Sequence, residues 1–215
     1  MAICFPLLGH NRKMDKSALF HLEYGLYLLS AREEKDNACI INTVMQVTDK
    51  PVQICVAVNH ANLTHDMITA TKKFNVSVLS ESAPFSLYSD FGYVSGRQKD
   101  KFYGRTDIAR SENGIYYLTD NTTAYLSAEV KNTIHLQTHT LFLGEVTEAV
   151  SLSDSPSVTY NYYQKNIKPQ KKDEGNSVKK GYICEVCGYV YEGDVLPDDY
   201  ICPVCKHGAE AFRPL

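Results

Sequence analysis

Two cysteine pairs near the end of the chain decide how its last part folds. The first pair reads Cys184-Glu-Val-Cys187 and the second reads Cys202-Pro-Val-Cys205, with fourteen residues between Cys187 and Cys202. Each Cys-x-x-Cys turn can direct two sulfurs at one metal ion, so four thiolates predict a tetrahedral site for zinc or iron. The stretch from residue 182 to 215 is too short to bury a self-sufficient core, so we expect the metal to supply folding free energy.

The residues around the cysteines favour iron. Gly188 permits a tight turn behind the first pair and lets backbone N–H groups point at sulfur, which tunes a redox-active iron. Tyr189 and Tyr200 supply aromatic surface to a very small core. With these features the segment 184–205 resembles rubredoxin, in the compact version that is fused to larger proteins. A structural zinc ribbon is the alternative, because spacing alone does not separate the two metals.

Composition limits the class of protein. The chain has 215 residues, 44% of them hydrophobic and 22% charged, which predicts one ordinary globular domain plus a small appendage. The net charge of −3 gives no general attraction to nucleic acid or to an anionic membrane. There is no apolar run long enough for a bilayer and no basic leader, and the three remaining cysteines (Cys4, Cys39, Cys55) are scattered. We therefore expect a reduced, cytoplasmic protein that binds neither nucleic acid nor membrane.

A polar stretch separates two domains. Residues 165–180 hold six lysines and no apolar periodicity, which predicts a flexible linker between a first domain at 1–164 and a rubredoxin-like domain at 181–215. The charged residues that follow the linker are mostly acidic (Glu185, Glu192, Asp194, Asp198, Asp199 and Glu210 against Lys206 and Arg213). The lysines have a simple explanation in solvation. A basic linker beside an acidic domain also has the charges to bias docking.

The first domain is predicted to be mainly β. Short β-rich runs indicate strands at 25–30, 38–44, 52–58, 74–79, 114–118, 124–134 and 140–146, with helices at 62–71 and 84–91 and one capped by Asp15. Many short strands with few helices are typical of a small barrel. There is no GxGxxG motif, no phosphate-binding P-loop motif and no Ser/His/Asp arrangement for hydrolysis.

Polar clusters mark the predicted strand ends. They are Asn42-Thr43, Asn59 to Thr64, Ser95-Gly-Arg97 and Asp100-Lys-Phe102. The cluster from Asn59 to Thr64 leads from a strand into a helix, and the free N–H groups of a helix N-terminus attract phosphate. Capping of that helix by Asn62 or Thr64 is the simpler alternative.

The order of these segments resembles the FMN-binding split-barrel flavin reductases. The resemblance runs over residues 12–165 and includes Ile41-Asn-Thr-Val44, Lys73-Phe-Asn-Val-Ser-Val78, Phe91-Gly-Tyr-Val-Ser-Gly-Arg97 and His139-Thr-Leu-Phe-Leu-Gly-Glu-Val146. Together with the cysteine pairs it is similar to the fused type, the high-molecular-weight rubredoxins. This implies a six-stranded antiparallel FMN-binding split β-barrel with short helices, followed by a small rubredoxin-type iron ribbon, in a homodimer with FMN at the subunit boundary.

The resemblance also implies roles for individual residues. Asn42 and Thr43 are expected at the isoalloxazine ring, and Lys101 near the phosphate or the ring. The phosphate and ribityl chain are expected at Asn59, His60, Asn62 and Thr64. His139 is expected close to flavin and nicotinamide, where a neutral imidazole orients hydride donor and acceptor. No role beyond packing is expected of the other histidines.

These assignments predict a short redox chain. NADH or NADPH delivers hydride to FMN, electrons pass singly to an iron held by Cys184, Cys187, Cys202 and Cys205, and the iron reduces a partner. The resemblance implies that this partner is a flavodiiron protein that reduces oxygen or nitric oxide. One alternative is an electron relay that a separate NADH–rubredoxin oxidoreductase reduces. The other is a zinc-ribbon binding module without redox function.

Overall fold

The computed structural model describes residue 14 and residues 16–169, 181–185, 189–203 and 207–215. Several residues singled out above lie outside this part of the chain: Cys4, Asp15, Cys187, Gly188, Cys205 and Lys206. Most of the predicted linker, 170–180, also lies outside it. The predicted domain bounds therefore stay predictions.

The first domain is built on one antiparallel sheet. Its strands are β1 (Tyr27–Arg32), β2 (Asp36–Ile41), β3 (Val44–Asp49), β4 (Val52–Asn59), β5 (Lys73–Leu79), β8 (Thr122–His135) and β9 (His139–Ser151). They lie in the order β2-β1-β5-β8-β9-β4-β3, and every neighbouring pair is antiparallel. The predicted mainly β fold is confirmed, with seven strands in this sheet rather than six. The additional strand is β3, which follows a turn at Asn42 and Thr43 and shares only Val44 with the predicted strand 38–44.

Alternating side chains give the sheet two packed faces. Leu29 lies in one cluster with Met67 of the helix α1 (Leu63–Thr71), whereas its neighbour Leu28 lies in a second cluster with Phe91 of the helix α2 (Phe85–Gly92). Ile41 of β2 shares the first cluster with residues of β4, although the two strands are far apart in the sheet order. The sheet therefore curls around this core, as a barrel-like fold requires.

The remaining elements of the first domain close its ends. A 3₁₀ helix spans Lys16–His21, and a hairpin pairs β6 (Ile108–Arg110) with β7 (Tyr116–Leu118). After β9, the Thr159 hydroxyl accepts a hydrogen bond from the Tyr162 N–H (3.1 Å) and caps a short helix, Tyr160–Tyr162. This helix continues as a π-helical turn, Tyr163–Ile167, which extends three residues into the predicted linker. Tyr163 is buried, so the turn belongs to the packed domain.

The C-terminal module, defined as the described residues from 181 onward, is a second small sheet. Its strands are β10 (Tyr182–Cys184), β11 (Val190–Tyr191) and β12 (Phe212–Pro214), in the order β11-β10-β12. Cys184, Cys202 and Ala211 form its core, and the Tyr200 ring packs against Phe212 with ring centroids 5.4 Å apart. No helix among the described residues is long and apolar enough to cross a membrane.

Candidate functional site

One cavity of the first domain, which we call the main cavity because predicted flavin residues line it, has a volume of about 310 Å³ and lies where β2, α1, α2 and the Tyr160–Ile167 segment meet. Six of the residues predicted to serve the flavin line it: Asn42, Asn59, Asn62, Thr64, Lys101 and His139. Of the described residues predicted for this site, Thr43 and His60 do not line the cavity. Residues that are far apart in the sequence therefore lie around one cavity.

The N-terminus of α1 opens on the main cavity. Ala61, Asn62, Leu63 and Thr64 all line it. Asn62 occupies the N-cap position, but its side chain makes no capping hydrogen bond within the described chain. The capping explanation therefore does not hold for Asn62, and the first N–H groups of a nine-residue helix stay available for an anion. Asn59 stabilises the approach to the helix, because its Oδ1 accepts a hydrogen bond from the Ala61 N–H (2.8 Å).

A buried polar pair supports the floor of this opening. The Asn37 Nδ2 donates a hydrogen bond to the Thr64 Oγ1 (2.8 Å), and both side chains are almost completely buried. Burial raises the pKa of the neighbouring Cys39 thiol, although a hydrogen bond with Thr64 and the charge of Lys101 oppose the rise. Gly96 approaches Asn37 so closely that an added Cβ would lie 2.0 Å from Oδ1. Sequence reasoning missed Asn37, which lies within an apolar strand.

Lys101 brings a buried positive charge to the cavity wall. Its side chain is only 8% exposed, and the Nζ donates to the backbone carbonyls of Ala38 (2.9 Å) and Phe91 (2.8 Å). These bonds tie β2 to α2 and hold the ammonium group in place. A cation buried in this way is suited to stabilise negative charge on a bound ligand.

A second charged pair lies beside α1. Partial desolvation opposes ionisation of Asp66, but hydrogen bonds from Arg97 (2.6 Å) and His65 (3.1 Å) hold the pKa of its carboxyl below the usual value. Arg97 comes from the Ser95-Gly-Arg97 cluster, so this ion pair fastens that loop to the first turn of α1. The acidic residue nearest the helix N-terminus is thereby neutralised.

Three histidines surround one buried hydroxyl group next to the cavity. The Thr140 Oγ1 lies 3.2 Å from His60 Nε2, 3.0 Å from His65 Nε2 and 3.2 Å from His135 Nδ1, and Thr140 is completely buried. A hydroxyl group donates one hydrogen bond and accepts two, so it can satisfy all three rings. The sequence does not predict this cluster, because His135 lies 70 residues after His65 and only the fold brings it to the other two rings.

His139 lies at the cavity wall, opposite Asn59 in the pairing of β9 with β4. Its Nδ1 lies 2.8 Å from the Thr138 hydroxyl, which fixes the ring. Partial burial lowers the pKa of the His139 imidazole, and the charges of His207 and His60 lower it further. A lowered pKa favours the neutral form of the imidazole.

The two described cysteines of the predicted metal site occupy matching turns. The Cys184 N–H donates to the Tyr189 carbonyl (2.7 Å), and the Cys202 N–H donates to the His207 carbonyl (2.8 Å), so each bond spans five residues. Both thiols are completely buried within a very small core. Cys187 and Cys205, which complete the predicted set, lie outside the described residues.

These features fit the two groups that the sequence implies. The main cavity combines an open helix N-terminus, amide side chains and a buried ammonium group, which are donors for a flavin phosphate and ring. The paired turns, each of which begins at a buried cysteine, fit a four-thiolate iron centre.

Comparison with protein families finds two matches along the chain. The flavin reductase-like domain matches residues 19–170, and the rubrerythrin, rubredoxin-like domain matches residues 182–213. The first match alone covers more than half of the chain.

Individual relatives agree with this division. The chain is 37% identical over 230 residues to the high molecular weight rubredoxin of Moorella thermoacetica, a match that covers 94% of this chain and 100% of the relative. It is 36% identical over 152 residues to a ferric-chelate reductase (NAD(P)H) of Archaeoglobus fulgidus, covering 70% of this chain and 89% of the relative. Its fold resembles the NADH:FAD oxidoreductase SgcE6 of Streptomyces globisporus C-1027, with a TM-score of 0.59 at 20% identity over 66% of this chain and 84% of that one.

Proposed function

The chain belongs to the flavin reductase-like family and, through its second domain, to the high-molecular-weight rubredoxins, and on that premise we propose an electron path that ends on a flavodiiron protein. The chain is an NAD(P)H-dependent oxidoreductase with a flavin and an iron centre. Bound FMN would take one hydride, that is two electrons, from each NADH or NADPH, and an iron held by the four cysteines would pass these electrons on one at a time, because the acceptor reoxidises the iron before the second electron arrives. The flavodiiron acceptor is the part that we infer.

One observation carries the proposal: the main cavity gathers six predicted flavin residues in the same chain as two buried cysteines in matching turns. We assign the phosphate to the N-terminus of α1, with Asn59, Asn62 and Thr64 beside it, because uncapped N–H groups favour an anion. Lys101 adds a positive charge to the same wall.

The remaining predicted residues take roles around the ring. We assign Asn42 to the isoalloxazine and His139 to the position where hydride donor and acceptor meet. Thr43 donates a hydrogen bond from its Oγ1 to the Asn42 Oδ1 (3.1 Å), so it acts by orienting Asn42. We assign His60 an indirect role, because its Nε2 lies 3.2 Å from the Thr140 Oγ1 and its side chain does not line the main cavity.

A cysteine substitution tests the order of the two redox steps. Cys202→Ser removes one thiolate, so iron and its visible absorbance should be lost while NADH still bleaches the flavin under anaerobic conditions. Cys55→Ser is the matched control, because Cys55 is a buried thiol of the first domain. Loss of flavin reduction in Cys202→Ser would contradict the two-step order.

The same measurement separates the alternatives. If NADH and NADPH bleach the wild-type flavin only after a second enzyme is added, the chain is an electron relay. If the purified protein contains zinc and no iron, it is a binding module.

The acceptor is tested directly. A purified flavodiiron protein, mixed with this chain and NADH, should consume oxygen or nitric oxide. Cys202→Ser should abolish that consumption while Cys55→Ser leaves it intact. Equal rates with Cys202→Ser would show that the iron centre does not feed this acceptor.

We also propose that the chain is a homodimer that works in the cytoplasm. Support for a dimer comes from exposed apolar side chains on the edge strand β3 and the start of β4, where Met45 is 60% and Val52 is 42% exposed. Support for a reducing compartment comes from Cys39 and Cys55, which are unpaired thiols. Met45→Glu should convert a dimer into monomers in analytical ultracentrifugation. A wild-type monomer would refute the assembly.

A further inference from the structure

The wall of the main cavity is not made by the first domain alone. Pro203 and His207 of the C-terminal module line it, together with His139, Gln164 and Lys168 of the first domain. Both module residues belong to the second cysteine turn, in which the Cys202 N–H donates to the His207 carbonyl. The described residues of the first turn, Cys184, Glu185 and Tyr189, do not line the cavity.

The size of the cavity limits what it holds in this arrangement. A volume of about 310 Å³ is at the lower end of ligand pockets, which range from about 300 to 1,000 Å³. It suits one cofactor, whereas the reaction needs a nicotinamide dinucleotide beside the flavin. Most of the wall is packed sheet and helix of the first domain. Pro203 and His207 belong to the C-terminal module, whereas the other residues of the wall belong to the first domain.

We propose that Pro203 and His207 form the surface by which the C-terminal module docks on the main cavity, and that the docked module and the nicotinamide exclude one another. This inference rests on the proposed function. In the docked form, His207 connects the two sites, because it lines the main cavity and its carbonyl accepts a hydrogen bond from the Cys202 N–H. The undocked form is the one that admits NADH or NADPH.

One substitution weakens docking without touching a thiolate. His207→Glu keeps the backbone carbonyl that holds Cys202 and places a negative charge on the cavity wall. Val195→Glu is the matched control, since Val195 is 74% exposed in the same module and does not line the cavity. His207→Ala, which only truncates the ring, covers the case in which the glutamate disturbs the module. Iron content and flavin content should equal those of the wild type in all three.

Two measurements report docking without turnover. Calorimetric titration of the oxidised protein with NAD+ and NADP+ should show tighter binding in His207→Glu, by about tenfold if the docked form makes up about 90% of wild-type molecules. Hydrogen exchange should show faster exchange around His139. Val195→Glu should match the wild type in both.

The kinetic consequence separates the inference from the proposed function. In stopped-flow mixing with NADH, His207→Glu should bleach its flavin at least as fast as the wild type, but reduce its iron about tenfold more slowly. If nicotinamide affinity, exchange and iron reduction all match Val195→Glu, the docking surface is refuted and the proposed function stands. If the wild-type flavin or iron is not reduced at all, the proposed function fails instead.

Discussion

A methyl group at Gly96 should damage the flavin site through a single neighbour. In Gly96→Ala the new Cβ would lie 2.0 Å from Asn37 Oδ1, 2.6 Å from Cγ and 2.9 Å from Nδ2. All three atoms belong to one buried side chain, and real Cβ contacts essentially never fall below 3.0 Å. Asn37 must therefore retreat by about 1 Å, the difference between 2.0 and 3.0 Å. Its 2.8 Å hydrogen bond to Thr64 then exceeds bonding range.

The expected cost follows from those contacts. An unsatisfied buried polar group costs about 1–3 kcal/mol. Overpacking adds a cost of about the same size. We expect Gly96→Ala to lower the free energy of unfolding by about 2–6 kcal/mol. It should also weaken FMN binding by about tenfold or more, because Thr64 shifts at the helix N-terminus.

The assay uses urea unfolding followed by far-ultraviolet circular dichroism, since the chain has no tryptophan. A fluorescence titration gives the FMN affinity. Gly92→Ala is the control, because Gly92 also lines the main cavity but its added Cβ meets only Ile40, at an ordinary 3.5 Å. In an Asn37→Ala background the clashing atoms are gone, so Gly96→Ala should there cost less than about 1 kcal/mol. Equal costs in both backgrounds would refute the reasoning.

Three further substitutions or titrations test the site. Thr140→Val removes the hydroxyl shared by three imidazoles and should lower the free energy of unfolding by about 1–3 kcal/mol. Thr138→Val, at an exposed site, is the control and should change it little. Equal urea midpoints for the two variants would contradict the shared hydrogen bonds. Lys101→Met removes a positive charge from the cavity wall, so calorimetry should show weaker FMN binding. It also leaves two backbone carbonyls without their donor, so circular dichroism should show a lower melting temperature. Unchanged FMN affinity would show that Lys101 is not part of the flavin site. Folding lowers the pKa of His139, so this residue adds to the free energy of unfolding at pH values above its unfolded-state pKa. The contribution is lost as the pH falls through the lower folded-state pKa. NMR should therefore place the His139 titration below the usual 6.5, and a higher midpoint would contradict the neutral imidazole.

The sequence predicts strands that are rich in apolar and β-branched residues, and it misses a strand that is not buried. β4 is predicted from its run of such residues, and β5 from the alternation of apolar with polar residues; both strands are largely buried in the structure. β3 is missed because it is an edge strand and nearly all its residues are exposed. Burial, rather than strand formation itself, is what makes a strand apolar in the sequence.

The site shows the same limit. Lys101 and the N-terminus of α1 were predictable, because a helix start after a strand and a cation in a polar cluster leave local signals. Asn37 left none, since its partner Thr64 lies 27 residues away and only the fold brings them together. His65 and His135, for which no role beyond packing is expected, were missed because only the fold brings them to Thr140.

The π-helical turn after Tyr162 has a consequence for how separable the two halves are. The Lys168 N–H donates to the Tyr163 carbonyl (2.8 Å), which closes the turn, and Gln164 and Lys168 both face the main cavity. A first domain cut at residue 164 would lose this closure and part of its ligand wall, whereas one cut after Pro169 would keep them. The smallest flavin-binding domain that folds on its own therefore extends beyond residue 165, where the sequence becomes polar. Chimeras that exchange the C-terminal module should be joined after the π-helical turn.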